Sequence, residues 1–459
     1  MKSQLTIADA RRLFMEGQEA LSQVESNGMR IDTAYLDRMI IESADKISQM
    51  EVDLKKDEVW QQWKKKYGED ANLDSGEQLG NILFNVMGVE CKAKTATGRP
   101  KTDADALEQV DFPFVRKYLK YGKLRRTRTN NLIGIRNETV NGILHPVFSL
   151  NLVKSYRSSS SLPNAQNFPI RDDFLARLVR QAFIPRDGHV LLEVDMASAE
   201  VRVSACYHND PRMVEYIHKN HDYHKELAMQ CFKLPADQVT KNVRGTAKAN
   251  FVFASFYGDW YINICQNLWN AIAKDRLSRV DGVGLYDHLA EQGITELGGL
   301  EKIPVPGTFE AHIKSVYDDF WNVRFPVYSK WKEDWWQAYL KNGYCQSLTG
   351  FIFKGIYRRN EIINYPVQSG SFHCLLWSLI QINNWLNEKK MKSMIIGQIH
   401  DSIILDVYLK ELDDVLSKCY QTMTRDIRQT WEWITVPLEI EGAVSEKNWY
   451  EKKTVGMGV

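Results

Sequence analysis

The chain has 459 residues and a mass of 53.2 kDa, more than one compact core organises, so two or more lobes with a cleft between them are expected. Charged residues make up 25% and hydrophobic residues 44%, which excludes a disordered polypeptide. The net charge is only +1, so any polyanionic partner must be met by local clusters of charge and not by the molecule as a whole.

Residues 1–66 carry apolar positions three and four apart, the period of helices, with an Asn-Gly turn signal at Asn27-Gly28. The stretch Arg116 to Arg136 holds eight Lys or Arg and no acid. By itself such a run fits a solvated helix face as well as a polyanion site. Ser155 to Pro169, rich in Ser, Asn and Pro, predicts a folded loop that presents hydrogen-bond donors. "HVLLEVDM", residues 189–196, predicts a strand, with a helical pattern from Ala199. Residues 206–345 are mostly helical in pattern and unusually aromatic. "MIIGQIHDSIILDV", residues 394–407, predicts a β-hairpin bent at His400-Asp401-Ser402, and "VPLEIEG", residues 436–442, a further strand. Strands split by a helical insertion make an α+β fold. Seven cysteines without a C-x-x-C pair exclude a disulfide framework or zinc ribbon. With a polar N-terminus and no long apolar window, cytoplasmic residence is expected.

Asp195 ends one apolar strand and Asp401 sits in the bend of the hairpin. At the rim of one sheet, two carboxylates can hold a pair of Mg²⁺ ions about 3.5–4 Å apart, the arrangement for in-line phosphoryl or nucleotidyl transfer. Arg244 and Lys248, four apart, offer a clamp for a triphosphate. Phe253 and Tyr257, also four apart, offer rings on which a base or sugar can stack.

With these residues in order, the chain resembles the polymerase portion of family A DNA polymerases. The family's D-Y-S-Q-I-E-L-R stands here as "DMASAEVR", Asp195 to Arg202. Its R-x-x-x-K with following aromatics and Y-G stands as Arg244, Lys248, Phe253, Tyr257 and Gly258, and its H-D-E as His400, Asp401 and Ser402. Its R-L-S-S-S-x-P-N-L-Q-N-I-P is matched by Arg157, Pro163, Asn164, Gln166, Asn167 and Pro169, and its N-x-P-V-Q-G by Asn364, Pro366, Val367, Gln368 and Gly370.

The resemblance implies a right-hand architecture with a palm built on an antiparallel sheet, helical fingers and a helical thumb. Its boundaries here would be a helical segment on the palm and thumb (1–40), thumb (41–128), first palm part (129–205), fingers (206–345) and second palm part (346–459). It implies template-directed addition of dNTPs to a primer 3′ end, with two Mg²⁺ ions on Asp195 and Asp401. Arg244, Lys248 and His224 would hold the triphosphate, with Lys248 also donating a proton to pyrophosphate. Phe253 would pack on the incoming nucleotide, Tyr257 would guard the templating position, and Glu200 would exclude a 2′-hydroxyl. Arg157, Asn164, Gln166, Asn167, Asn364, Gln368 and His400 would touch the primer-template. Lys123, Arg125 and Arg126 would grip duplex phosphates. A monomer is implied, with a separate exonuclease, helicase-primase or processivity factor as candidate partners and no membrane. The family's 3′–5′ exonuclease domain has no counterpart in this sequence, so no proofreading is expected of it.

Several departures matter. Met196 to Ala199 replace Y-S-Q-I, which predicts thinner polar support around Glu200, and Ser402 replaces a Glu. Residues from about 259 to 309 fit the family poorly and read as an insertion centred on 265–305. Lys248 and Phe253 are five apart where the family has four. On an α-helix that places them roughly 140° apart instead of 40°, so either a π-bulge lies near Asn250 or Phe251 shares the role of Phe253. A single-subunit RNA polymerase shares the three motifs, but Glu200 argues against it. A silent primer-template-binding protein is opposed by the intact Asp pair and Arg/Lys clamp. His208, His218, His221 and His224 have no Cys at ligand spacing, which argues against zinc.

Overall fold

A computed structural model describes residues 4–91, 93–95, 97–272 and 277–456. Residues 273–276, inside the expected insertion, and the outermost residues of the expected first and last segments lie outside the described residues. Helix α1 (Ile7–Asn27) begins at a capping box in which Thr6 and Asp9 satisfy each other's backbone groups, and it stops at Gly28 with φ +60°. Its buried stripe is Ala10, Leu13, Gly17, Ala20, Leu21 and Val24. Helix α2 (Thr33–Lys55), capped by Asp32, leads to α3 (Pro113–Arg126), whose basic run continues through a π-helical stretch, Thr127–Ile133. Around α3 the apolar side chains of Trp63, Leu79, Ile82, Phe114 and Val115 make a core of their own.

The sheet begins with β1 (His189–Met196). Between it and the next strand the chain runs through α4 (Ala199–His208), α5 (Tyr223–Phe232), α6 (Lys241–Ala247) and, after further helices, α7 (Arg359–Glu388). Strands β2 (Met394–Ile399), β3 (Ser402–Tyr408), β4 (Ile440–Ser445) and β5 (Lys453–Val455) complete an antiparallel sheet of order β5-β4-β1-β3-β2. Both faces are covered, which the nearly unbroken apolar runs require. Val190, Leu192, Val194 and Met196 face one core, shared with Phe251, Phe320 and Leu375 from the helices. Leu191, Ile396 and Ile404 face the other, with Met29, Phe183 and Trp449. At Gly17 a Cβ would stand 2.8 Å from Leu376, so α1 lies directly along α7.

Two strand expectations need correction. The strand foreseen at 436–442 starts only at Ile440, because Pro437 and Glu439 are held to Arg202, whose guanidinium donates to the Pro437 carbonyl at 2.7 Å and pairs with Glu439 at 2.5 Å. The short edge strand β5 gave no signal in the sequence. Within the Ser155–Pro169 loop, Ser159–Ser161 pairs with Val147–Ser149, so the loop is folded. Among the described residues no helix is long and apolar enough to cross a membrane.

Candidate active site

Asp195 and Asp401 come together because β1 and β3 are neighbours. Asp195 lies opposite Ser402, and the Met196 amide donates to the Asp401 carbonyl at 3.0 Å. The backbone beside each acid is held in the left-handed region: His400 has φ +51°, and Ser198, before α4, also has φ +51°. Non-glycine residues in that region carry strain that commonly marks functional turns. Burial, with Asp401, Glu193 and Glu441 nearby, pushes the Asp195 carboxyl up to about 7, and burial also raises that of Asp401. Two crowded, largely buried carboxylates are the hard-oxygen donor set that suits Mg²⁺, which completes its shell with water and phosphate oxygens. The residues therefore fit a divalent cation.

Opposite the acids, residues 248–253 form a π-helical segment following α6. The spacing problem is resolved there. The wider turn places Lys248 Nζ over the Phe253 ring, 5.2 Å from its centroid, while Phe251 is fully buried edge-on against Phe320. Phe253 faces the site and Phe251 the core, so they do not share a surface. Arg244 pairs with Asp222 at 2.8 Å, the residue that caps α5. His224 is buried on α5 against Phe253 with no partner on Nδ1, and burial beside Lys248 and Arg244 drives it down to about 3. Burial and Arg244 lower Lys248 as well. A neutral imidazole thus sits beside two cations.

Glu200, in the first turn of α4, accepts a hydrogen bond from Tyr257 Oη at 2.5 Å and lies 3.6 Å from Arg157, which also approaches Asp401 at 3.9 Å. The polar contacts of Glu200 come from distant segments, Tyr257 and Arg157. Asn364 on α7 donates to the Tyr257 carbonyl at 2.7 Å and so ties α7 to the end of the π-helical segment. A cavity of about 300 Å³ brings Arg157, Gln166, Gln368 and His400 together. Asn164 caps the turn that carries Gln166, and Asn167 is exposed beside it. Lys123, Arg125 and Arg126 stand apart on α3, where Lys123 pairs with Glu108 at 2.7 Å and Arg125 with Asp74. The four histidines occupy separate environments: His208 stacks on Tyr328, His221 pairs with Glu226 and His218 is exposed.

Sequence reasoning missed four contributors. Gln398 is fully buried and accepts from Ser158 at 2.6 Å and Gln166 at 2.9 Å, while donating to the His400 carbonyl at 2.7 Å, so it braces the bend that carries Asp401. A buried amide inside an apolar strand was the available signal. Tyr328 lines the pocket beneath Glu200 and Tyr257. Lys452 and Trp449 both bond Glu193, at 2.5 and 2.6 Å, behind Asp195.

The model of DNA polymerase family A matches residues 43–275 and 316–451. The chain belongs to this family. Its similarity to DNA polymerase I of Lactococcus lactis subsp. cremoris (strain MG1363) is 27% identity over 449 residues, covering 95% of this chain and 45% of that protein. The DNA polymerase of Bacillus phage SP01 is 27% identical over 380 residues, covering 78% of this chain and 37% of that one. The chain therefore spans under half the length of these relatives. The fold matches the polymerase domain of Pol1 from M. smegmatis, solved with DNA primer-template and dNTP, at a TM-score of 0.75 and 23% identity over 95% of this chain and 70% of that one. The right-hand, mixed α+β polymerase fold follows. The family model leaves residues 276–315 unmatched within its span, and the helix Tyr261–Ile272 lies inside the matched part.

Proposed function

We propose that this chain extends a DNA primer along a template, adding dNTPs by nucleotidyl transfer at the Asp195–Asp401 pair. The observation that carries the reading is the convergence of that acid pair with the Arg244–Lys248 clamp, joined by the π-helical segment that turns Phe253 toward the same opening. Divalent metal is the family's general cofactor, and Asp195 and Asp401 are the residues to hold it, as two Mg²⁺ ions. Bound there, it would supply Lewis-acid activation of the primer hydroxyl and neutralise charge on the leaving pyrophosphate.

The chain's own groups supply the rest. Arg244 leaves Asp222 to fork onto phosphate oxygens, and His224 offers a neutral N–H in a dry site. Lys248, with its lowered affinity for its proton, delivers that proton to pyrophosphate. Phe253 packs on the sugar and base, and Tyr257 holds the Glu200 carboxylate where a 2′-hydroxyl would sit. Arg157, Asn164, Gln166, Asn167, Asn364, Gln368 and His400 line the primer-template path; Lys123 and Arg125 exchange their acidic partners for duplex phosphates, and Arg126 joins them. The domain boundaries follow as thumb 41–128, fingers 206–345, and palm 129–205 with 346–459. Primer extension by the wild type and by Asp401→Ala tests the reading. Extension by the wild type alone supports it; equal extension by both proteins, or none by either, refutes it.

A further inference from the structure

Immediately before Arg157 the backbone takes a conformation that a side chain makes costly. Tyr156 has φ +53°, in the left-handed region, where a non-glycine residue persists only if its surroundings over-determine it. Here those surroundings come from distant parts of the chain. Tyr156 Oη donates to the Ile352 carbonyl at 2.7 Å, in the hairpin of strands Tyr344–Gln346 and Ile352–Lys354. The ring packs on Phe351 and Phe353 of that hairpin, at 4.9 and 5.1 Å, and on Phe14 of α1 at 6.2 Å. The Tyr156 carbonyl accepts from His373 Nε2, on α7, at 3.0 Å.

That last bond closes a buried polar chain whose direction is fixed. A carbonyl only accepts, so the proton of the neutral imidazole sits on Nε2, and Nδ1 accepts from the Thr349 hydroxyl at 2.7 Å. Burial drives the imidazole down to about 3, so the ring stays neutral. Thr349 Oγ1 in turn accepts from Ser347 Oγ at 3.0 Å. Ser347, Thr349 and His373 are fully buried, where a polar group that loses its partner is costly and a satisfied chain is rigid. Nucleotide addition uses none of the three.

What this chain holds is the peptide that carries Arg157. The Arg157 guanidinium lies 3.6 Å from Glu200 and 3.9 Å from Asp401, and the side chain borders the cavity shared with Gln166, Gln368 and His400. A long, flexible side chain keeps such a place only while its own backbone is fixed. We propose that His373 is a positioning residue: by holding the Tyr156 carbonyl it sets the Arg157 guanidinium beside Glu200 and Asp401, where the primer 3′ nucleotide is aligned. The proposal rests on the polymerase reading and adds to it a residue that touches neither primer nor nucleotide.

The test is steady-state extension of a matched primer, run below the thermal unfolding midpoint of every variant. His373→Leu keeps an apolar side chain in the space but forms no hydrogen bond. It is expected to lower kcat by about tenfold or more and to leave the KM for dNTP near wild type, because a small misplacement at the reacting centre costs rate. Arg157→Ala should lower kcat as well. Adding His373→Leu to Arg157→Ala should cost nothing further, since the group it positions is already gone. If His373→Leu does not fold, Thr349→Val, which removes only the hydroxyl that fixes the ring, is read in the same way. Wild-type kcat in His373→Leu overturns the proposal, as does wild-type kcat in Arg157→Ala. A loss carried by KM alone overturns it too. So does a full second loss on top of Arg157→Ala, because His373 would then serve the fold and not Arg157. No extension by the wild type would instead refute the polymerase reading itself.

Discussion

Replacing Asp195 with Asn should make the metal-free protein more stable. The carboxyl rises from the ordinary 3.8 to about 7, first through burial and then through Asp401, Glu193 and Glu441. At 1.36 kcal/mol per unit, a rise of about three units is worth about 4 kcal/mol against the ionised form. Solvent reaching the partly open carboxyl reduces that to about 2 kcal/mol. The sign follows from proton binding. Between 3.8 and about 7 the folded protein holds a proton that the unfolded chain has lost, so stability falls as pH rises through this window. The penalty is complete above the folded value and absent below the unfolded one. Urea unfolding in EDTA, followed by tryptophan fluorescence, should therefore show Asp195→Asn more stable by about 2 kcal/mol near pH 8.5 and by less near pH 5. Added Mg²⁺ should stabilise wild type and leave the variant unchanged. No gain near pH 8.5, or an undiminished gain near pH 5, would refute the account of carboxylate crowding.

Two further expectations concern packing. Phe251→Ala should destabilise the protein by about 3–5 kcal/mol while leaving the KM for dNTP near wild type, because Phe251 is buried against Phe320. Phe253→Ala should do the reverse in thermal unfolding and steady-state kinetics, and a matching pattern in the two variants would refute the division of roles. Gly350→Ala should cost about 3 kcal/mol in thermal unfolding, since Gly350 has φ +86° and a Cβ there would collide with the Thr6 carbonyl. A neutral result would mean that the start of α1 shifts freely on the hairpin of strands Tyr344–Gln346 and Ile352–Lys354 beneath it.

The parts of this site that were legible in the sequence are those that a local pattern encodes. Asp195 and Asp401 interrupt apolar runs, so their cost was visible before any neighbour was known. The spacing of Lys248 and Phe253 was an arithmetic conflict with the α-helical period, and the π-helical segment Lys248–Phe253 is its physical resolution. What stayed hidden was set by pairing across the sheet or between distant segments. The partner of Glu200 is Tyr257, 57 residues downstream and beyond any local pattern. Gln398 read as one polar interruption in a strand, because its partners Ser158 and Gln166 come from more than two hundred residues upstream. Strand β5 is three residues long and pairs only with β4, so no period could announce it.

The extra residue in the fingers helix is what lets one short segment serve two surfaces. Four aromatic or cationic side chains must face the acids, while Phe251 and Val252 must stay in the core. On a regular α-helix the five-residue step from Lys248 to Phe253 would turn them roughly 140° apart, and one of them would be lost to the opening. Widening one turn restores their proximity, at 5.2 Å, and leaves the register of Phe253 with Tyr257 intact, their rings 6.1 Å apart. A π turn forms weaker backbone hydrogen bonds than an α turn and persists when tertiary contacts hold it. Here those contacts are the buried Phe251 below and Asn364 clamping the Tyr257 carbonyl above. The segment is thus fixed at its core face by Phe251, while Lys248 and Phe253 stay together on the other.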